Sequence, residues 1–132
     1  MNWIPLLFLT GVVLVLALLK KTALVSTKEA QELLKSGALV IDVRTAGEYV
    51  SGHLEQAVNM PLNEIGASID SLVESKDRVL LLHCRSGVRS GAAVKKLKTM
   101  GYTNVYNLGS YARAESIVNG KKHPPETETM SF

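Results

Sequence analysis

The sequence predicts an α/β fold in which a parallel sheet carries helices on both faces, preceded by one transmembrane helix. Residues 38–43 (ALVIDV) and 78–83 (RVLLLH) are continuous apolar runs, as expected for strands that are buried on both faces. Helical patterns alternate with these strands, and such alternation is typical of a parallel sheet. In this architecture ligands bind beyond the carboxyl ends of the strands.

The first 21 residues predict a membrane anchor. No charged residue occurs from Trp3 to Leu19, and Lys20 and Lys21 follow directly. As a helix, residues 3–19 would span roughly 26 Å, the short end of what crosses a bilayer. A cleaved secretory signal normally has basic residues before its apolar core, whereas this chain has them after it, so an uncleaved anchor is favoured.

The basic pair also predicts where the rest of the chain lies. Positive residues flanking a transmembrane helix favour the cytoplasmic side. We therefore expect a single-pass membrane protein whose catalytic domain is cytoplasmic. The alternative is a periplasmic or secreted domain released after signal cleavage.

The remaining elements follow in order along a domain predicted over residues 22–119. Ser26 and Glu29 have the spacing of a capping box, which predicts a helix that ends before Gly37. Beyond the first long strand, the chain predicts a short strand at 57–61, the strand at 78–83, a helix at 91–100, a strand at 103–108 and a helix at 110–118. Residues 120–132 contain two prolines and no apolar period, so a disordered tail is predicted there.

Charge and composition exclude several classes of function. Fifteen Lys and Arg against twelve Asp and Glu leave a net charge of +3, and aromatic residues make up only 5% of the chain, so no nucleic-acid surface is expected. The three histidines and one cysteine lack metal-ligand spacing. We expect neither a metal nor a cofactor.

Cys84 is the candidate catalytic residue. It follows a predicted strand, and a short glycine-bearing loop connects it to a helix, so backbone N–H groups and the helix dipole converge on the thiol. Such surroundings lower a cysteine pKa. Arg85 and Arg89 add two positive charges, whereas a merely packed cysteine needs neither. The pattern predicts a nucleophilic sulfur that meets a small anionic substrate.

Two motifs in this sequence resemble the rhodanese family of single-domain thiosulfate sulfurtransferases. "CRSGVRS" is similar to the family's active-site loop, and residues 40–62 (VIDVRTAGEYVSGHLEQAVNMPL) are similar to its N-terminal stretch. The resemblance covers roughly residues 24–118. It implies that Cys84 carries a sulfane sulfur as a persulfide between an anionic donor and a thiol or cyanide acceptor. It further implies a substrate-binding loop, formed by Arg85, Ser86, Gly87, Val88 and Arg89.

Loop length separates this prediction from a rhodanese-fold phosphatase or arsenate reductase. The cysteine phosphatase signature has one residue more between its cysteine and arginine than the four present here. A phosphoryl group needs a cradle wide enough for three oxygens, and a shorter loop suits a single sulfur atom. The other alternative is a catalytically weak, membrane-tethered binding module with the same fold. A departure from the family at 107–111 (NLGSY) leaves the acceptor open.

Other polar residues are given supporting or structural roles. We expect Asp42 either to orient the loop from a neighbouring strand end or to cap its own strand. Asp42 and Arg44 are predicted to be supporting residues of the site. The spacing of Arg44 and Glu48 predicts a structural ion pair between them. His53 is expected to satisfy backbone groups in a turn. His83 should point to the face of the sheet opposite the thiol, so it is not assigned as a base.

Overall fold

The computed structural model describes residues 2–20 and 23–120, without the side chains of residues 17–20. The predicted disordered tail lies, apart from Gly120, outside the described residues. Six helices and four strands occur in the described part of the chain. In chain order they are α1 (Ile4–Lys20), α2 (Thr27–Lys35), β1 (Leu39–Asp42), α3 (Ala46–Ser51), β2 (Val58–Asn59), α4 (Leu62–Leu72), β3 (Leu80–His83), α5 (Val88–Thr99), β4 (Val105–Gly109) and α6 (Tyr111–Val118).

The predicted transmembrane anchor is not supported. Helix α1 has 17 residues, about 26 Å of rise, whereas a bilayer core of about 30 Å takes roughly 20 apolar residues. No helix among the described residues has the length and apolar character needed to cross a membrane. The expected membrane contact through residues 3–19 depended on this anchor and is therefore not supported either. The cytoplasmic location of the domain stays a prediction.

The strands form one parallel sheet in the order β2-β1-β3-β4, with Asp42 of β1 paired in register with His83 of β3. This confirms the predicted parallel sheet, although each long strand is shorter than its apolar run. Because both strands run in the same direction, their carboxyl ends meet at one edge. Asp42 and Cys84 are therefore brought together at that edge.

Helices cover both faces of the sheet, as predicted. On one face β1 and β3 pack with α4 and α5, through a cluster that includes Ile41, Leu82, Cys84, Ile65 and Val94. On the other face they pack with α2 and α6, through residues that include Val40, Leu81, Ala30, Ala114 and Ile117. Alternate strand residues point to opposite faces, which assigns Cys84 to the α4–α5 side.

Two helices differ from the sequence prediction. Helix α4 was not predicted, although Leu62, Ile65, Ile69 and Leu72 have the three- and four-residue spacing of a buried helical face. Helix α5 begins at Val88, three residues earlier than expected. The early start places Val88 and Arg89 in the first helical turn and leaves a shorter loop after Cys84.

Candidate active site

The loop that follows β3 is tied to the connection between β4 and α6. The Cys84 amide donates to the Gly109 carbonyl at 3.2 Å, and the Tyr111 amide donates to the Arg85 carbonyl at 3.3 Å. Gly87 has φ +96°, and a Cβ there would lie 3.2 Å from the Cα of Gly109. Only glycine combines this left-handed conformation with such a close approach.

The Cys84 thiol is surrounded by hydrogen-bond donors. The Gly87 amide lies 3.0 Å from Sγ, and the Ser90 hydroxyl lies 3.5 Å from it. Burial raises the pKa of Cys84, but hydrogen bonds from the Ser90 hydroxyl and from the amides of Ser90, Gly87 and Ser86 outweigh burial, so the pKa lies below its ordinary value. The site therefore makes ionisation of the thiol easier than in a free cysteine. Cys84 is also fully buried.

The two arginines of the predicted substrate loop differ in their surroundings. Arg85 is exposed and makes no ion pair among the described residues. Arg89 donates to both carboxylate oxygens of Glu48, at 2.6 and 3.0 Å. Arg85 is consequently the cation that is free to meet an incoming anion, while the charge of Arg89 is largely balanced.

Glu48 connects the loop to α3. Its Oε1 also accepts hydrogen bonds from the amide and hydroxyl of Thr45, at 3.2 Å each, within a capping box at the start of α3. Hydrogen bonds from Arg89 and Thr45 lower the pKa of Glu48 to about 2. The carboxylate is therefore ionised at neutral pH.

The predicted ion pair between Arg44 and Glu48 is wrong. Arg44 instead binds Asp42, with its Nη2 2.7 Å from Oδ2 and its Nε 3.0 Å from Oδ1. Its Nη2 also donates to the Gly52 carbonyl at 2.8 Å. Residues four apart face each other only within a helix, and α3 begins at Ala46, after Arg44. Arg44 is thus free to fold back onto the strand end.

Asp42 and Arg44 do not contact the thiol. They lie with His83 and Tyr111 on the α2–α6 side of the sheet: the Arg44 guanidinium lies 4.7 Å from the Tyr111 ring centre, and the Tyr111 and His83 rings meet edge to face. Their position indicates a structural support for the ends of β1 and β3. Of the two roles left open for Asp42, the contacts match the strand cap, because its Oδ1 accepts the Arg44 amide at 3.0 Å.

The side chains of the two histidines discussed above lie away from the Cys84 thiol. Burial lowers the pKa of His83, against the opposing influence of Asp42, so its ring is uncharged at neutral pH. Its Nδ1 lies 3.3 Å from the Cys84 carbonyl oxygen, and its ring is on the face opposite Sγ. His53 contacts the Tyr49 carbonyl through Nδ1 at 2.8 Å and stacks on the Tyr49 ring. Both observations match the predicted structural roles.

Sequence reasoning included Ser90 in the quoted motif without giving it a role, and it missed Asn107. Ser90, in the first turn of α5, and Asn107, on β4, are both buried, and the Ser90 hydroxyl lies 2.7 Å from Asn107 Oδ1. A polar residue inside an otherwise apolar strand was the available signal for Asn107. Within residues 2–20 and 23–120, no group of three His, Cys, Asp or Glu side chains is placed to hold a metal ion.

Comparison with known proteins supports the resemblance to the rhodanese family that the sequence motifs indicate. The Rhodanese-like domain family matches residues 26–113. Thiosulfate sulfurtransferase PspE of Escherichia coli K12 is 39% identical over 69 residues, which are 52% of this chain and 66% of PspE. The tRNA uridine(34) hydroxylase of Buchnera aphidicola is 30% identical over 88 residues, 63% of this chain and 28% of that protein. The chain thus spans less than two thirds of either relative.

Among solved structures, the human single-domain sulfurtransferase TSTD1 superposes with a TM-score of 0.59 at 28% identity, covering 70% of this chain and 95% of TSTD1. The family match extends over more than half of the chain and includes β1, the cysteine loop and β4. This chain belongs to the rhodanese-like domain family.

Proposed function

We propose that this protein is a sulfurtransferase that moves a sulfane sulfur from a thiosulfate-like anion to a thiol or cyanide acceptor through a persulfide on Cys84. The observation that carries the proposal is the arrangement of donors around Sγ, with the Gly87 amide at 3.0 Å and the Ser90 hydroxyl at 3.5 Å. Donors in these positions stabilise an anionic sulfur, and a persulfide is anionic in the same way.

The first step is attack of the Cys84 thiolate on the outer sulfur of thiosulfate. The new Cys84 S–S bond forms as the S–S bond of thiosulfate breaks, and sulfite leaves with the bonding electron pair. In the second step an acceptor such as cyanide attacks the terminal sulfur, which releases thiocyanate and restores the thiolate. Each step conserves charge, and covalent storage on the enzyme divides the transfer into two displacements.

None of the residues in this sequence other than Cys84 offers a thiol as acceptor. Cys84 is the one cysteine in the sequence, so no second thiol of these residues can resolve the persulfide as a disulfide. A small thiol or a thiol on another protein would fill this role in the cell.

The persulfide is tested directly by mass. After incubation with thiosulfate and removal of excess reagent, the intact protein should gain the mass of one sulfur atom, and peptide mapping should place it on Cys84. Addition of cyanide should remove the added mass and release thiocyanate. Cys84→Ser, treated in parallel, controls for sulfur bound elsewhere. A wild-type mass that stays unchanged while the protein is folded would contradict the proposal.

Arg85 is the residue proposed to attract the anionic donor, since it is exposed and its charge is not paired with an acid. Arg85→Ala should raise the KM for thiosulfate about tenfold at low ionic strength, the loss expected for a hydrogen bond to a charged group. The defect should shrink as salt is added, because salt screens exposed charges. Steady-state kinetics at several ionic strengths measure both effects.

Arg78→Ala is the matched control for this experiment. Arg78 is also exposed, but it precedes β3, whereas Arg85 follows the strand, so the two arginines lie at opposite ends of the sheet. Equal changes in KM for the two variants would show that Arg85 contributes only to the net charge of the protein.

Complete burial of Cys84 favours a second candidate function, a rhodanese-like binding module without turnover. The mass experiment separates the two, because a module with an inaccessible thiol would acquire no sulfur from thiosulfate.

A further inference from the structure

The Asn107 side chain connects three parts of the site. Its Nδ2 donates to the Gly87 carbonyl at 3.2 Å, while its Oδ1 accepts from the Gly109 amide at 2.9 Å and lies 2.7 Å from the Ser90 hydroxyl. The Gly109 amide can only donate, which fixes the orientation of the Asn107 amide group. Asn107 is 4% exposed, so water contributes little to these hydrogen bonds.

Two of these partners are also the groups that face the sulfur. Gly87 contacts Sγ of Cys84 through its amide and Asn107 through its carbonyl, so Asn107 restrains the left-handed glycine that presents the amide. Ser90 lies between Asn107 and Cys84. Asn107 is therefore bonded to the residue that presents the Gly87 amide and also contacts the Ser90 hydroxyl, the second group that reaches Sγ.

The Ser90 hydroxyl has one proton and three acceptors within reach. Asn107 Oδ1 lies at 2.7 Å, the Gly87 carbonyl at 3.1 Å and Cys84 Sγ at 3.5 Å. The nearest oxygen competes best while the sulfur is neutral, and an ionised sulfur is a stronger acceptor than a neutral one. Rotation of the hydroxyl alone then transfers its hydrogen bond from Asn107 to the sulfur, without movement of the backbone.

We propose that Asn107 is a positioning residue that promotes ionisation of Cys84 by holding the Gly87 amide against Sγ, while the Ser90 hydroxyl donates to Sγ once the sulfur is ionised. This inference deepens the proposed sulfurtransferase function and rests on it for its biological meaning. The change that it predicts in the proton affinity of Cys84 can be measured without any sulfur donor.

Other charges near the thiol are unchanged by a substitution at Asn107. The charged and titratable groups on the surrounding elements include Asp42 at the end of β1, Arg44 after it, Glu48 on α3, His83 on β3, Arg85 in the loop, Arg89 on α5 and Tyr111 on α6. Arg89 is attracted electrostatically to Cys84. None of these groups is hydrogen-bonded to the Asn107 side chain. A change in the pKa of Cys84 when that side chain is removed therefore reflects the hydrogen-bond donors around the sulfur.

The test is the pH dependence of iodoacetamide alkylation of the folded protein. With one cysteine in the sequence, the midpoint of this dependence is the pKa of Cys84. Asn107→Ala and Ser90→Ala should each raise the midpoint, with alkylation below the midpoint slowed about tenfold in Asn107→Ala. In the double variant the increase should exceed the sum of the two single effects, since Asn107 competes with the sulfur for the Ser90 proton only while the hydroxyl is present.

Asn59→Ala is the matched control. Asn59 is also a strand asparagine, although it is only partly buried, and its Nδ2 donates to the carbonyls of Asp42 and Arg44 at 3.0 Å each, away from the sulfur. It should lower stability without moving the midpoint. A midpoint in folded Asn107→Ala that moves no more than in Asn59→Ala would overturn the proposal, and so would strictly additive effects of Asn107→Ala and Ser90→Ala.

If Asn107→Ala does not fold, Ser90→Ala still tests the contribution of the Ser90 hydroxyl. This variant removes one hydroxyl and leaves Asn107 bonded to Gly87 and Gly109. An unchanged midpoint in folded Ser90→Ala would contradict the inference. The alkylation assay needs no thiosulfate, so an inactive protein with the expected shifts would refute the proposed function alone. A persulfide-forming protein without the shifts would refute the role of Asn107 alone.

Discussion

Cys84→Ser is expected to abolish sulfur transfer while the domain remains folded. The serine hydroxyl nearly matches the thiol in volume, so the serine side chain fills the buried position between β3 and the loop. A hydroxyl cannot form or carry a persulfide, so no covalent intermediate is available. Thiocyanate release from thiosulfate and cyanide should fall to the rate of a reaction without protein.

Folding of Cys84→Ser has to be shown in the same experiment. Urea unfolding should place it within about 2 kcal/mol of the wild type, since a single substitution of similar size in a core typically costs that much or less. An unfolded variant would make the loss of activity uninformative, and Cys84→Ala then serves as the second variant. Transfer at the wild-type rate by a folded Cys84→Ser protein would rule out the persulfide mechanism.

Arg44→Ala is expected to have the largest effect on stability. Asp42 is completely buried and Arg44 is its ion-pair partner, with only 10% of the arginine side chain exposed. Removing the arginine leaves a buried carboxylate without its counter-charge, which typically costs about 3–5 kcal/mol. Since small domains are stable by only about 5–15 kcal/mol, the variant should lose a large share of its stability. Urea unfolding curves of both proteins measure the difference.

Two further variants test whether the unpaired buried charge of Asp42 causes the loss of stability in Arg44→Ala. Lys76→Ala removes the cation of an exposed pair with Asp70, in which 50% and 67% of the side chains are accessible, and it should cost at most about 1 kcal/mol. The double variant Asp42→Asn/Arg44→Met removes both charges and should recover much of the stability lost in Arg44→Ala. If Arg44→Ala cost no more than Lys76→Ala, the buried pair would not be a major support of the strand ends.

Local patterns in the sequence account for most of the fold. The two buried strands were recognisable because strands covered on both faces must be apolar throughout, and the parallel sheet then followed from the alternation with helices. Helix α4 was missed despite a suitable apolar spacing, because Asn63, Gly66 and Ser68 between its apolar positions are weak helix formers. Packing of Ile65 and Ile69 against the sheet overcomes that weak local preference.

The short sequence around Cys84 by itself determined the candidate nucleophile and its loop, because a strand, a cysteine, a glycine-bearing loop and a helix follow one another in the chain. Only the tertiary structure decided the partners of these residues. Glu48 and Arg89 are 41 residues apart, and Ser90 and Asn107 are 17 apart. Ion pairs and polar contacts over such distances depend on which elements become neighbours in the sheet and on which face each side chain points to, and no local pattern carries that information.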